Sequence, residues 1–267
     1  MATSFKILKN YDDLTISDNF MFQRVMQNEL LCKHLLEMAL RIKIKRLMYM
    51  PNAEKFIKVS WEGKASRLDL YVELADGLAV DVEIQTTGNA EELAKRTRYY
   101  QSILDADNLM KGEYYTDLPK SYVIFICTFD PFGEKRNQYT FQNKCVENTD
   151  LSLNDGATKI FFNANGAVGD IDDELKNFLK YVKNGEITGE FTKAVAHEFE
   201  KVKEHKETKV EYMGLELEIQ RQRLDEHKKT ILDGIRKLMD KMNYTVEEAM
   251  DFWEIPQDER EKYIAKI

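Results

Sequence analysis

Ser66-Arg67-Leu68-Asp69-Leu70-Tyr71-Val72-Glu73-Leu74, then Ala75-Asp76-Gly77, then Leu78-Ala79-Val80-Asp81-Val82-Glu83-Ile84-Gln85, is the stretch that decides how this chain folds. Each arm alternates apolar and polar residues with the two-residue period of a strand. The Ala-Asp-Gly between them is a tight-turn signal. Alternation puts Asp69, Tyr71 and Glu73 on one face of the first strand, and Asp81, Glu83 and Gln85 on one face of the second. The pattern predicts a half-buried hairpin with its polar residues in water. Any amphipathic hairpin reads this way. Two carboxylates on neighbouring strands also stand close enough to hold a divalent metal, an arrangement that metal-assisted phosphodiester hydrolysis requires.

The elements around the hairpin choose between these readings. Upstream, Phe20, Phe22, Val25, Met26, Leu30, Leu31, Leu35, Leu36 and Ala39 recur at helical spacing, predicting one helix from Asp18, its N-cap, to about Leu40. Phe56 to Ser60 reads as a first strand. Downstream, Asn89 to Met110 reads as a helix. Ser121 to Cys127 is a continuous apolar run, as in a strand buried on both faces. Gln138 to Phe141 and Thr158 to Phe162 extend the sheet. From Asp170 onward Glu, Lys and Asp dominate, and the spacing predicts helices only: Asp172 to Val182, one or two long helices from Phe191 to about Met242, then Val246 to Trp253 and Gln257 to Ile264.

Composition narrows the function classes. The chain has 267 residues, 43% hydrophobic and 32% charged, the profile of a globular protein. No apolar run approaches the ~20 residues of a membrane span, and the N-terminus lacks the pattern of a secretory signal. Three cysteines, Cys32, Cys127 and Cys145, fit a reducing cytoplasm, with Cys32 and Cys127 as core residues. The four histidines are scattered, so a metal here is a hard cation on oxygen ligands. The net charge of -8 does not favour nonspecific binding to nucleic acid. Charge is clustered, however: Arg41-Ile42-Lys43-Ile44-Lys45-Arg46 carries four cations in six residues, and Lys95, Arg96 and Arg98 add three. Either cluster is a phosphate contact or a solvated surface.

The order helix, three strands, helix, strand, with acidic residues on the second and third strands, resembles the PD-(D/E)XK nuclease superfamily. More closely, the chain resembles the Rpn-type recombination-promoting nucleases and putative transposases. The resemblance rests on Phe20-Met21-Phe22, Arg67-Leu68-Asp69-Leu70-Tyr71, Val82-Glu83-Ile84-Gln85-Thr86, Arg98-Tyr99-Tyr100-Gln101-Ser102 and Tyr122 to Phe132, five blocks in one order between about Asp18 and Asn163. It implies a restriction-endonuclease-like α/β core (αβββαβ, a mixed central sheet flanked by helices) over residues 1–168, with an all-α C-terminal extension over 169–267. It also implies a metal-dependent DNA endonuclease. Asp69 and Glu83 would ligate Mg2+ (or Mn2+ or Ca2+) together with the Ile84 carbonyl. Gln85 stands where the superfamily usually has Lys. A glutamine only hydrogen-bonds, so the missing positive charge must come from Lys95, Arg96 or Arg98. Arg98 is the expected donor of that charge, its alternative role being a contact that fixes helix to sheet. Arg67, Lys95, Arg96, Tyr99 and Gln101 are the expected substrate contacts, Gln101 alternatively capping the site. Asp81 is expected to face solvent or support the ligands. The rival reading is a catalytically weak or inactive nuclease fold that binds DNA or protein.

In the tail, Thr245 and Glu248 form a capping-box pattern opening a segment that resembles a small helix-turn-helix. Gln257, Arg260 and Lys262 are offset by Asp258, Glu259 and Glu261, a poor balance for reading DNA, so this segment is expected to pack or to contact protein. The long charged helix before it is either a solvated arm or the seam of a homodimer.

Overall fold

The computed structural model describes residues 8–49, 55–57, 66–68, 70–74, 77–109 and 112–267. It is a mixed α/β structure. Two helices, α1 (Asn19–Met26) and α2 (Glu29–Leu40), precede strands β1 (Leu47–Tyr49), β2 (Lys55–Ile57), β3 (Ser66–Leu68), β4 (Leu70–Leu74) and β5 (Ala79–Gln85). Helix α3 (Ala90–Asn108) crosses to β6 (Ser121–Cys127), followed by β7 (Gln138–Phe141) and β8 (Ala157–Asn163). Helices α4 (Asp173–Asn184), α5 (Glu190–Glu204), α6 (Lys206–Met242), α7 (Val246–Phe252) and α8 (Gln257–Ile264) complete the chain.

The main sheet has six strands in the order β1-β4-β5-β6-β8-β7, and β2 pairs with β3 in a separate two-stranded sheet. Strand β5 is the junction of the main sheet. It runs antiparallel to β4, with Leu70 opposite Val82, and parallel to β6, with Glu83 opposite Phe125. A parallel partner needs a crossover, and α3 supplies it. On the face under α3, Tyr71, Ala79, Val123, Phe125, Cys127, Tyr139 and Phe161 meet Leu93, Tyr100, Ile103 and Leu104 of the helix. On the opposite face Val72, Val80, Val82, Ile84, Ile124, Ile126, Ile160 and Phe162 are buried, and α1 lies against β5.

Several expectations change. The predicted first helix is two, because Asn28 is a better cap than a helix-interior residue: its side chain accepts from the Leu31 N–H at 3.3 Å and opens α2. Asp18 precedes α1, but its carboxylate accepts from Thr15 N and Thr15 Oγ1 instead of capping. The predicted strand from Phe56 is confined in the described residues to β2, which does not join the main sheet, whereas β1 does. The hairpin turn falls partly outside the described residues, which include Gly77 at φ 81, a conformation that glycine adopts without strain. The polar face of β5 is not in water. Asp81 and Glu83 are 0% and 1% exposed, because α3 covers the face that alternation alone left to solvent.

The chain divides into two compact units. Asp12–Thr208 contains the sheet, and Lys209–Ile267 combines, among the described residues, with 8–11. In the second unit the Tyr212 hydroxyl donates to the Lys9 carbonyl at 2.9 Å. Ile231 and Ile235 of α6 form a core with Ala249, Met250, Ile255 and Tyr263. A Cβ on Gly234 would strike the Trp253 ring, so glycine is what lets that ring close over α6. The capping box at Thr245 and Glu248 is present as read from the sequence. Arg260 bonds Asp251 and the Ile255 carbonyl, so it packs the α7–α8 corner. Among the described residues no helix is long and apolar enough to cross a membrane.

The loop leaving β6 is tied by Asp130. Its carboxylate accepts from Tyr139 Oη (2.7 Å) and from the N–H groups of Lys135 (2.8 Å), Gly133 (3.0 Å) and Phe132 (3.2 Å). Desolvation raises this carboxyl, but those hydrogen bonds outweigh it and hold it below the usual aspartate range. A depressed folded pKa contributes stability above the unfolded value of about 3.9 and loses it as pH falls through the folded value. Asp130→Asn is therefore expected to cost about 1–2 kcal/mol at neutral pH and to flatten the acid limb of the Tm–pH curve. An acid limb unchanged from wild type would show that the carboxylate does not carry this loop.

Candidate active site

Glu83 points from the carboxyl half of β5 into the layer beneath α3. A buried carboxylate needs a cation or several donors, and the described partner is Arg96 on α3, with Nη2 at 3.2 Å from Glu83 Oε2. The same guanidinium donates through Nη1 to Gln85 Oε1 at 2.7 Å and through Nη2 to Tyr100 Oη at 2.9 Å. Its carbon lies 5.4 Å from the ring centroids of both Tyr100 and Phe125. Those rings are near parallel, 8° apart in plane, with centroids 6.2 Å apart. Helical periodicity explains the arrangement: Arg96 and Tyr100 are four residues apart and share the sheet-facing side of α3.

The same periodicity places the other predicted residues. Arg98, two positions after Arg96, is turned about 200° around the helix and is exposed, so the expectation that Arg98 stands beside Glu83 and Gln85 is corrected in favour of Arg96. Lys95 is exposed and pairs with Glu91 on its own helix. Tyr99 is partly buried against the core beneath α3. Gln101 is 6% exposed and donates to Asp105 Oδ1 at 3.1 Å and to Ser121 Oγ. Ser121 pairs with Ala79, four residues before Glu83 on β5, which is roughly 13 Å along the strand. Gln101 thus fastens α3 to the amino end of β6 and is not brought to Glu83. Asp81, expected to face solvent or lend support, is fully buried.

Asp69 lies outside the described residues, as does the side chain of Arg67, whose backbone in β3 pairs with Phe56. The described backbone ends beside Asp69: Leu70, the next residue, is opposite Val82. The Gln85 carbonyl accepts from Thr128 N at 3.0 Å on the β6 side. Successive strand carbonyls point to opposite neighbours, which turns the Ile84 carbonyl toward the β4 side. Glu83 and Ile84 therefore offer a carboxylate and a carbonyl, the oxygen donors that a hard divalent cation takes. Among the described residues no three His, Cys, Asp or Glu side chains cluster as a complete metal site. Cys127, at the same end of the sheet, is no competing nucleophile: burial pushes its thiol up to about 12, with Arg96 lowering and Asp130 raising it.

Sequence reasoning placed Glu83 and Gln85 on one strand face but missed the Tyr100 hydroxyl and the pairing through Arg96. The signal was present in the Arg96–Tyr100 spacing, since only a residue in phase with Leu93, Tyr100 and Ile103 can face the sheet.

The model of the PD-(D/E)XK nuclease family transposases matches residues 19–241. The chain belongs to that family. No curated protein and no solved structure matches it.

Glu83 is almost fully buried, whereas the Arg96 side chain is 29% exposed and has other partners. Removing the cation therefore takes a described counter-charge from a buried carboxylate, whereas removing the carboxylate leaves Arg96 its other described partners. In chelator, Arg96→Met is expected to destabilise by roughly 3 kcal/mol and Glu83→Gln by roughly 1 kcal/mol or less, measured by urea unfolding. The reverse ranking would show that Glu83 is neutralised by something other than Arg96.

Proposed function

We propose that this chain is a divalent-metal-dependent DNA endonuclease of the recombination-promoting, transposase-associated kind. The observation that carries the reading is Glu83: a carboxylate in the (D/E) position of the family motif, buried at the carboxyl end of a central strand and matched to a cation. Asp69, Glu83 and the Ile84 carbonyl hold the ion, Mg2+ or in its place Mn2+ or Ca2+. Bound there, the ion supplies a water of lowered pKa and Lewis-acid polarisation of the scissile phosphate. The chain's own residues do the rest. Arg96 keeps a positive charge at the mouth of the site, where negative charge develops on the phosphate. Arg67, Lys95, Tyr99 and Arg98 are assigned to the flanking DNA backbone, Lys95 and Arg98 as exposed cations.

The chemistry is assigned to residues 1–168 and assembly to 169–267. On α6, Val210, Met213, Leu217 and Leu224 are each more than half exposed and recur at heptad-like spacing, a stripe that suits a homodimer seam. The absence of lysine at position 85 favours a second reading, a catalytically weak or inactive member that binds DNA or protein. Its unpaired cysteines suit the cytoplasm under either reading.

Plasmid nicking separates the two. With Mg2+ or Mn2+ the wild type is expected to nick, and Asp69→Ala and Glu83→Ala are each expected to lose at least about a hundredfold in rate. No nicking, with DNA association unaffected by Glu83→Ala, would establish the second reading. Leu217→Glu with Leu224→Glu is expected to shift the sedimenting species from dimer to monomer, and a wild type that sediments as monomer at high micromolar concentration would remove the seam.

A further inference from the structure

The motif that names the family ends in a lysine, and this chain has Gln85 there. We infer that the lysine's charge has moved from strand to helix: the Arg96 guanidinium carries it, and Gln85 is the positioning residue that holds the guanidinium in place. The inference rests on the endonuclease reading above and assigns the work of one motif position to two residues.

Three observations support it. Of the bonds described for Arg96, the shortest is to Gln85, at 2.7 Å, against 2.9 Å to Tyr100 and 3.2 Å to Glu83. A neutral acceptor thus fixes the guanidinium more closely than the carboxylate does. The guanidinium is equidistant from the Tyr100 and Phe125 rings, which restricts its swing, and the side chain is 29% exposed, so part of it lies at the surface. Its planar fork explains how one group serves Gln85 with one nitrogen and Glu83 and Tyr100 with the other. A lysine at position 85 would set an ammonium against Nη1, and two cations cannot share that space. Glutamine at 85 and arginine at 96 are therefore mutually required, as are lysine at 85 and a neutral residue at 96.

That requirement is testable by exchange. Plasmid nicking with Mg2+ would be followed for wild type, Gln85→Leu, Gln85→Lys, Arg96→Gln and the double variant Gln85→Lys/Arg96→Gln. Arg96→Gln is expected to lose about a hundredfold in kcat, the scale of a deleted charge-stabilising donor. Gln85→Leu and Gln85→Lys are expected to lose about tenfold or more in kcat, with KM for plasmid within about twofold of wild type, because the surface that binds DNA is untouched. The double variant is expected to exceed both Gln85→Lys and Arg96→Gln, recovering to within about tenfold of wild type. A second readout needs no metal: in chelator the Tm losses of Gln85→Leu and Arg96→Gln are expected to be less than additive when combined.

A double variant no faster than Gln85→Lys, alongside a wild type that nicks and a Glu83→Ala that does not, overturns this inference and leaves the endonuclease reading standing. Additive Tm losses overturn it in the same way. A wild type that never nicks overturns both.

Discussion

A carboxylate in the centre of a sheet is the constraint around which this molecule is organised. Glu83 is 1% exposed, and a charge at that depth without a counter-charge costs several kcal/mol. Among the described residues the counter-charge comes from α3, which sits on the sheet with Arg96 pointing down. Fixing Arg96 fixes the phase of the whole helix. Leu93, Tyr100, Ile103 and Leu104 then fall on Phe125, Phe161 and Val123, while Lys95 and Arg98 are carried to water. The polar contact sets the register and the aromatic packing contributes the energy. Phe125 joins the two, stacking on Phe161 at 5.4 Å and lying under the guanidinium at 5.4 Å.

This coupling explains what the sequence reveals and what it conceals. The run Ser121 to Cys127 is legible because a strand buried on both faces has no reason to alternate, and β6 lies between β5 and β8. The blocks around Glu83 and Gln85 are legible because they fall within the stretch that the family model matches. The burial of Asp81 and Glu83 is not legible, since a polar strand face under a helix alternates just as one in water does. The division of the first helix is concealed for a similar reason: Leu30 and Leu31 continue the apolar spacing of Val25 and Met26, and only the Asn28 side-chain bond reveals the break. Arg98 begins a recognisable block, yet position within a helix is decided by phase, and Arg96 has the phase of the core. Asp69 falls outside the described residues, so the second carboxylate is known from its sequence neighbours alone.

The second unit follows different rules. From Arg221 to Thr230 every residue of α6 is exposed, so that stretch gains nothing from packing. Arginine, glutamine, lysine and leucine, all good helix formers, fill most of it. Packing returns where Ile231 and Ile235 meet α7 and α8, with Thr245 and Glu248 closing the turn between helices. The helix is about 55 Å end to end at 1.5 Å per residue over its 37 residues. Arg260, the cation of α8 with the best claim to reading DNA, bonds Asp251 and the Ile255 carbonyl instead. The tail is therefore built for packing rather than for base recognition.

The gradient of burial along β5 gives the site its direction. Asp81 is 0% exposed, Glu83 1%, and Gln85 is half-buried. One strand face thus leads from the core to solvent over three alternate positions, in the order Asp, Glu, Gln. A substrate too large to enter the core can meet only the outer end. Ligands of open α/β sheets collect at the carboxyl ends of strands for this reason. Asp81 lies below that end, at 0% exposure. The exposure of Gln85 makes it the threshold, and its neutrality lets a guanidinium stand there. The low dielectric behind the threshold strengthens every charge placed at it, so one arginine held rigidly at the mouth acts more strongly on an anion than several mobile surface lysines. Under the endonuclease reading proposed above, an acidic chain with a net charge of -8 works on a polyanion through the few cations fixed where the sheet opens.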